Sequence, residues 1–453
     1  MDRARDWRWA LPPVAAIVFA VLAFLQVPAV NGPPYWKWHW RRHAHPIGVA
    51  AAFGFAALPA LLAQVVRERA PEQRLVVGLL ILSSVALPVT GAALHEGRSS
   101  SAWIRAAILD PSVTGFLVSA QEIVEFEHRR PDVDWVRNYD KIMPYFPLHS
   151  RTKPFGLVVA HYLSLRAFGP TATIAIAAAA SLLCGAATVV VIFTALRAIG
   201  FGQATAIDAA TLFVLAPSMT LFFPLPDIAY PLLTITAIAF WWRALSRRDA
   251  FAAAVASLVI FLASILSFPL LAIGIPLLLM TISQVAETRS AKSVFMPLVV
   301  AAGTFFVAYL LLFVTTHYPA MASFRSALAG QRWLLVRLGR SYPRTIPYDL
   351  LDFCLGLGWA IPVLAVMWLA RFRSTPRNLR PLATAGVVTP LLIALSGQLQ
   401  AETARVWLFL MPLTVIPAAM ELSQWPLRAR LASCASLVIV TIALSSTMEF
   451  IFV

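Results

Sequence analysis

The chain has 453 residues, 60% of them hydrophobic and only 13% charged, with a mean hydropathy of +0.77. A soluble domain carries roughly a quarter charged residues, so these figures exclude soluble globular, disordered and coiled-coil chains and point to an all-α polytopic membrane protein. The net charge of +15 would raise the question of nucleic acid in a soluble protein, but here Lys and Arg collect at the ends of apolar runs, the pattern of membrane topology.

In chain order, apolar runs of bilayer-spanning length are predicted near 10–30, 47–66, 75–94, 171–196, 205–223, 228–243, 250–267, 269–286, 293–316, 351–370, 381–397, 405–421 and 431–450, thirteen in all. The chain then divides into N-terminal spans (1–94), an outer loop with interfacial helices and the candidate site (95–170), central spans (171–316), a second outer loop (317–350) and C-terminal spans (351–453). The first run has the length of a signal-peptide core, but Pro28-Ala29-Val30-Asn31 is a poor cleavage site, and the run reads as a retained anchor. The stretch from Tyr35 to His45 carries Trp36, Trp38 and Trp40 among basic residues and reads as an interfacial anchor. His39, His43 and His45 within it have no acidic or Cys neighbour to complete a metal site. Cys184, Cys354 and Cys434 lie inside apolar runs and read as small buried hydrophobes.

Residues 155–169 decide the orientation of everything after them. The stretch is short and carries His161 and Arg166, and is read as an amphipathic helix lying on the outer leaflet. On that reading 18 cations fall at cytoplasmic ends, four in short outer loops (Lys37, Arg41, Arg42 and Arg405) and 14 in the two long outer segments. This is the positive-inside pattern, with the N-terminus inside, and the Ala- and Arg-rich composition suggests a bacterial inner membrane. In the loop 317–350, Arg325, Arg332, Arg337, Arg340 and Arg344 alternate with Trp333, Leu334, Leu335 and Leu338, predicting a second interfacial helix drawn to anionic headgroups.

Residues 95–154 hold eight acidic and eight basic side chains, which a bundle of apolar helices does not need, and function is expected there. The segment opens with His95-Glu96-Gly97-Arg98, passes through Leu109-Asp110-Pro111-Ser112-Val113-Thr114-Gly115-Phe116 and the acidic run Glu122, Glu125 and Glu127, and ends at His149-Ser150-Arg151-Thr152-Lys153-Pro154-Phe155-Gly156. An isolated Asp early in the first long outer loop, an aromatic six residues on, a helix, and a basic x-Lys-Pro segment leading an amphipathic helix resemble the GT-C superfamily of integral-membrane glycosyltransferases. The nearest branch holds the protein O-mannosyltransferases and the aminoarabinose transferase of lipid A.

The resemblance implies a polyprenyl-phosphate-linked sugar donor, a glycan, lipid or protein acceptor, and an active site on the outer face. It makes Asp110 the general base, with Pro111 standing where many members have a second acid, and puts Arg151 and Lys153 on the donor phosphate. Asp227, in the turn Phe223-Pro224-Leu225-Pro226-Asp227, matches an acidic turn of the family by position and neighbours.

The chemistry agrees, because a phosphate leaving group needs cations and an acceptor hydroxyl needs a base. A retaining double displacement would draw a second carboxylate from Glu96 or Glu122. Plainer readings stand beside these: Asp110 as a turn or cap, Arg151 and Lys153 as headgroup anchors, the Glu122–Glu127 run as a solvated face, and His149 as an incidental loop histidine rather than a proton shuttle. Glu402 and Arg405, one helical turn apart, read either as a local ion pair or as a donor-phosphate site through Arg405. No Walker loop, G-x-G-x-x-G, C-x-x-C or H-E-x-x-H occurs. No cofactor is indicated, and a divalent-metal requirement is left open. The rival functions are a non-enzymatic lipid or glycan transporter and a ligase that moves a whole lipid-linked glycan.

Overall fold

The structure, a computed structural model, describes residues 3–31, 38–67, 73–95 and 98–451. It is a helical bundle. Nine of its helices among the described residues are long and apolar enough to cross a membrane, and ten if the bent pair Ile346–Leu357 and Ala360–Leu369, at 108° to each other, forms one span. Three shorter apolar helices, Gln203–Leu215, Ala250–Leu266 and Leu408–Leu422, lie among them. These lengths and compositions make the chain an integral membrane protein, and helices are the element that hydrocarbon allows, since each satisfies its own backbone.

Local chemistry sets the helix boundaries. Asp249 caps Ala250–Leu266, its Oδ1 accepting from the Ala252 N–H at 3.0 Å. Ser99 does the same for Ser100–Leu109, accepting from Ala102 at 3.3 Å. Where no apolar contrast with lipid drives helices together, small residues let them approach. A Cβ at Gly386 would run into the backbone carbonyl of Leu413, so Arg380–Ser396 and Met411–Leu422 touch backbone to backbone there.

The first span, Leu11–Phe24, packs against the last, Leu427–Thr447. Two short strands close the same seam: β1 (His39–Trp40) pairs antiparallel with β2 (Met448–Glu449), His39 opposite Glu449 and Trp40 opposite Met448. At the opposite end of the bundle Arg67 pairs with the buried Asp208, which also accepts from Gln64 Nε2 at 2.9 Å, while Arg430 Nε donates to Gln64 Oε1 at 3.2 Å.

The two long loop segments form a core of their own. Phe116, Trp135, Tyr139, Phe146 and Phe155 pack with Tyr318 and Ala327, and the Phe155 and Tyr318 rings stack at 3.9 Å. The second loop segment contains a helix, Ala320–Arg337. The helix running from Gly156 to Ile199 breaks at Gly169 (φ 77°, ψ 173°), just before Pro170, so 156–168 is a segment distinct from the span that follows. It is tied to the helix Phe116–Arg129 by Glu127, which accepts from the Tyr162 hydroxyl at 2.8 Å and pairs with Arg166 at 3.4 Å. The acidic run is thus partly engaged rather than wholly solvated.

Candidate functional site

Arg405 is the hub. Its Nε donates to Asp227 Oδ2 at 3.2 Å, its Nη1 meets Glu402 Oε2 at 3.4 Å, and its Nη2 donates to the Val113 carbonyl at 3.0 Å. One side chain thereby joins the turn after Asp110, the turn holding Asp227 and the segment before Leu408–Leu422. Arg405 and Asp227 are both buried.

The backbone that delivers Glu402 and Arg405 is strained. Ala401 (φ 71°) and Glu402 (φ 49°) are consecutive non-glycine residues in the left-handed region, which costs of order 1–3 kcal/mol each. Two buried carboxylates on Ile346–Leu357 hold it there. Asp349 Oδ1 accepts from Ala401 N at 2.9 Å; Asp352 Oδ2 accepts from Ala404 N at 2.9 Å and from the Thr403 hydroxyl at 3.3 Å, and its Oδ1 from Trp38 Nε1 at 2.7 Å.

Lys153 approaches the hub from the first loop. The Ser150 hydroxyl packs on Ser119 Oγ at 2.7 Å, and Gly115 leaves room for Pro147, which a Cβ there would meet at 2.5 Å, so the segment 147–153 is locked to the start of Phe116–Arg129. Lys153 Nζ then donates to Ser267 Oγ at 2.9 Å. Burial, opposed by Asp227 and reinforced by Arg405, pulls the Lys153 ammonium down to about 8. Burial and the Arg405 charge pull His149 down to about 4, so its imidazole is neutral at neutral pH. Burial pushes the Glu402 carboxyl up, but the cationic groups around it, His149 when protonated, Arg405, Arg340 and Lys153, bring it below its ordinary value, and it is ionised.

Lys153, Arg340 and Glu402, with the neutral His149 beside them, form the ionisable part of the wall of a cavity of about 330 Å³. Its remaining lining is mostly apolar, with Phe268, Leu271, Phe324, Leu328 and Leu334 prominent. Such a chamber suits an amphiphile with an anionic group at one end and a hydrocarbon chain behind it.

Of the residues expected from sequence, His149, Lys153, Asp227, Glu402 and Arg405 come together. Asp110 lies beside them but does not touch them: its Oδ1 accepts from the Ser112 N–H at 2.7 Å and from the Ser112 hydroxyl at 2.6 Å, the turn that its residue type favours, while no hydrogen bond to Oδ2 is found among the described residues. Arg151 stands apart from the cavity, its guanidinium 4.8 Å from the centre of the Trp333 ring, with Arg337 at 5.0 Å from the same ring. Glu122 is on the exposed face of its helix. Glu96 lies outside the described residues. Among the described residues no three His, Cys, Asp or Glu side chains are grouped so as to hold a metal ion.

Arg340, Asp349, Asp352 and Ser267 were not expected at the site from sequence. Asp349 and Asp352 carried a signal, since acids at the edge of an apolar span are costly without a role. Arg340 follows Gly339, whose positive φ of 65° turns the chain after Ala320–Arg337 and breaks the amphipathic pattern that made Arg340 look like a headgroup anchor. No protein-family model matches the chain, and no curated protein matches it significantly.

Proposed function

We propose that the chain is a GT-C-type membrane glycosyltransferase that moves a sugar from a polyprenyl-phosphate carrier to an acceptor hydroxyl at the outer face of a bacterial inner membrane. The carrying observation is the cavity whose apolar walls end at Lys153, Arg340 and Glu402, next to the Asp227–Arg405 pair. In the reading offered here the nine long helices, the bent pair and the three shorter apolar helices make thirteen crossings, with the N-terminus cytoplasmic. Lys153 and Arg340 hold the phosphate; Arg405, already committed to Asp227, Glu402 and the Val113 carbonyl, keeps the two halves of the site in register.

Asp110 is the base. Its carboxylate takes the proton of the acceptor hydroxyl as that oxygen bonds to the anomeric carbon, and the bond from carbon to phosphate oxygen breaks, releasing polyprenyl phosphate whose new charge rests on Lys153 and Arg340. Glu402 faces the same chamber and is placed to balance the positive charge that builds on the sugar.

The test is Asp110→Asn, assayed by the envelope glycans of a deletion strain carrying the variant. Removal of a general base costs about 10²- to 10⁴-fold, so the glycan should vanish while the variant still reaches the membrane and binds polyprenyl phosphate. A transporter has no use for that carboxylate, and normal glycans from Asp110→Asn would favour transport.

A further inference from the structure

A transfer reaction needs a second substrate, and a second cavity of about 190 Å³ lies back to back with the first. The partition between them is thin: Leu266 lines the second cavity and Phe268 the first, with Ser267 between. Ser267 takes the Lys153 ammonium at 2.9 Å, and Tyr230, three residues after Asp227, lines the second cavity. Pro226 and Thr114 line it too, and their chain neighbours Asp227 and Val113 are the partners of Arg405. Both cavities therefore end at one ionic cluster, and the turn bearing Asp110 runs between Ile108 and Thr114 at the end of the second.

What this groove accepts follows from its lining. Its polar groups are mostly spent within the protein: the Thr173 hydroxyl donates to the Gly169 carbonyl at 2.8 Å, Ser181 Oγ to the carbonyls of Pro224 and Leu225 at 3.1 and 3.2 Å, and His161 Nδ1 is bonded to the Leu157 carbonyl at 2.8 Å. Ser164 Oγ alone of these side chains is buried with no partner among the described residues. A polypeptide laid in the groove would bury backbone amides with nothing to bond, and a free glycan would strand its hydroxyls. Hydrocarbon has no such cost. The groove also opens on the flank of the bundle, where Ile176 is 44% exposed on an apolar span, so a chain enters from the bilayer rather than from water.

We propose that this groove binds the hydrocarbon chain of a lipid acceptor, whose hydroxyl-bearing head reaches the Asp110 turn. The inference rests on the glycosyltransferase reading and narrows the acceptor to a membrane lipid.

The experiment uses the full chain in nanodiscs containing a phosphatidylethanolamine with a diazirine in one acyl chain. After illumination, label on residues 156–181 should exceed that on Lys292–Thr316, a span with few buried residues that reports ordinary annular lipid, by about tenfold. Ala177→Phe, which fills the groove, should bring the ratio to unity and leave polyprenyl phosphate binding, read from tryptophan fluorescence, within about twofold of the parent. Ala160→Phe is the second variant should the first fail to fold. A ratio near unity in the parent overturns the proposal. So does a parallel loss of polyprenyl phosphate affinity in both variants, which would make the groove the seat of the donor's chain. A parent that takes the label but never binds polyprenyl phosphate defeats the glycosyltransferase reading, and the acceptor role with it.

Discussion

A guanidinium buried in the protein is costly without anions around it, and Arg405 meets that cost with two carboxylates and a carbonyl. Removing one partner of a buried pair is worse than never having had it. Arg405→Ala should therefore cost about 3–5 kcal/mol, seen as loss of the monodisperse peak in detergent rather than as a simple drop in activity. Lys153 answers differently, because it is held by one hydroxyl and by burial. Losing one charge-assisted phosphate contact is worth roughly ten- to hundredfold, so Lys153→Ala should fold and bind polyprenyl phosphate that much more weakly. Arg151→Ala should disturb the Trp333 stack and leave that affinity near the parent's. With its pKa near 8, Lys153 is charged below that pH and neutral above it, so the parent's affinity for polyprenyl phosphate should fall as pH rises past about 8. Lys153→Arg stays cationic, and its affinity should hold flat over the same range. An equal fall in both variants would place the titrating group elsewhere.

The segment from Ala401 to Arg405 is bent into place by its neighbours rather than by its own preferences. Ala401 sits at φ 71° because Asp349 holds its N–H, and glycine would sit there without the side-chain penalty. Ala401→Gly should leave the hydrogen bonds intact and shift stability by no more than about 1 kcal/mol, since relief of strain is offset by the looser unfolded chain. Asp352→Asn should lower turnover while sparing polyprenyl phosphate binding, because it loosens the backbone that carries Glu402 without touching the cationic wall. The spans were legible in the sequence because hydrocarbon demands long apolar helices, and so were Lys153, Asp227, Glu402 and Arg405, charges that a membrane protein does not place idly. Arg340, Asp349 and Asp352 were not, since their meeting depends on a turn at Gly339 and on contacts between segments some fifty residues apart. The break at Gly169 was readable from Gly169-Pro170; the sharing of one core by the two long loops was not, as no local pattern announces which aromatic meets Tyr318.

Across the whole molecule the charges sort by end. The ion pairs of Arg405 and the Lys153–Ser267 bond gather at one end, and Arg67, Asp208, Glu421 and Arg371 at the other. Cysteine placed at Arg247 or Arg373 should react with an impermeant maleimide only after the cells are opened; labelling of intact cells would reverse the proposed orientation.

The seam between Leu11–Phe24 and Leu427–Thr447, closed by β1 and β2, also bears on how the molecule comes to exist. The ribosome delivers one side of this seam some four hundred residues before the other. Until the last span emerges, the first must wait in the membrane with its packing face against lipid or a chaperone, and Gln64 and Trp40 lack the partners that Arg430 and Met448 bring. The seam thus closes only once Leu427–Thr447 has been made, and a chain halted before residue 427 presents the quality-control machinery of the cell with an unclosed seam.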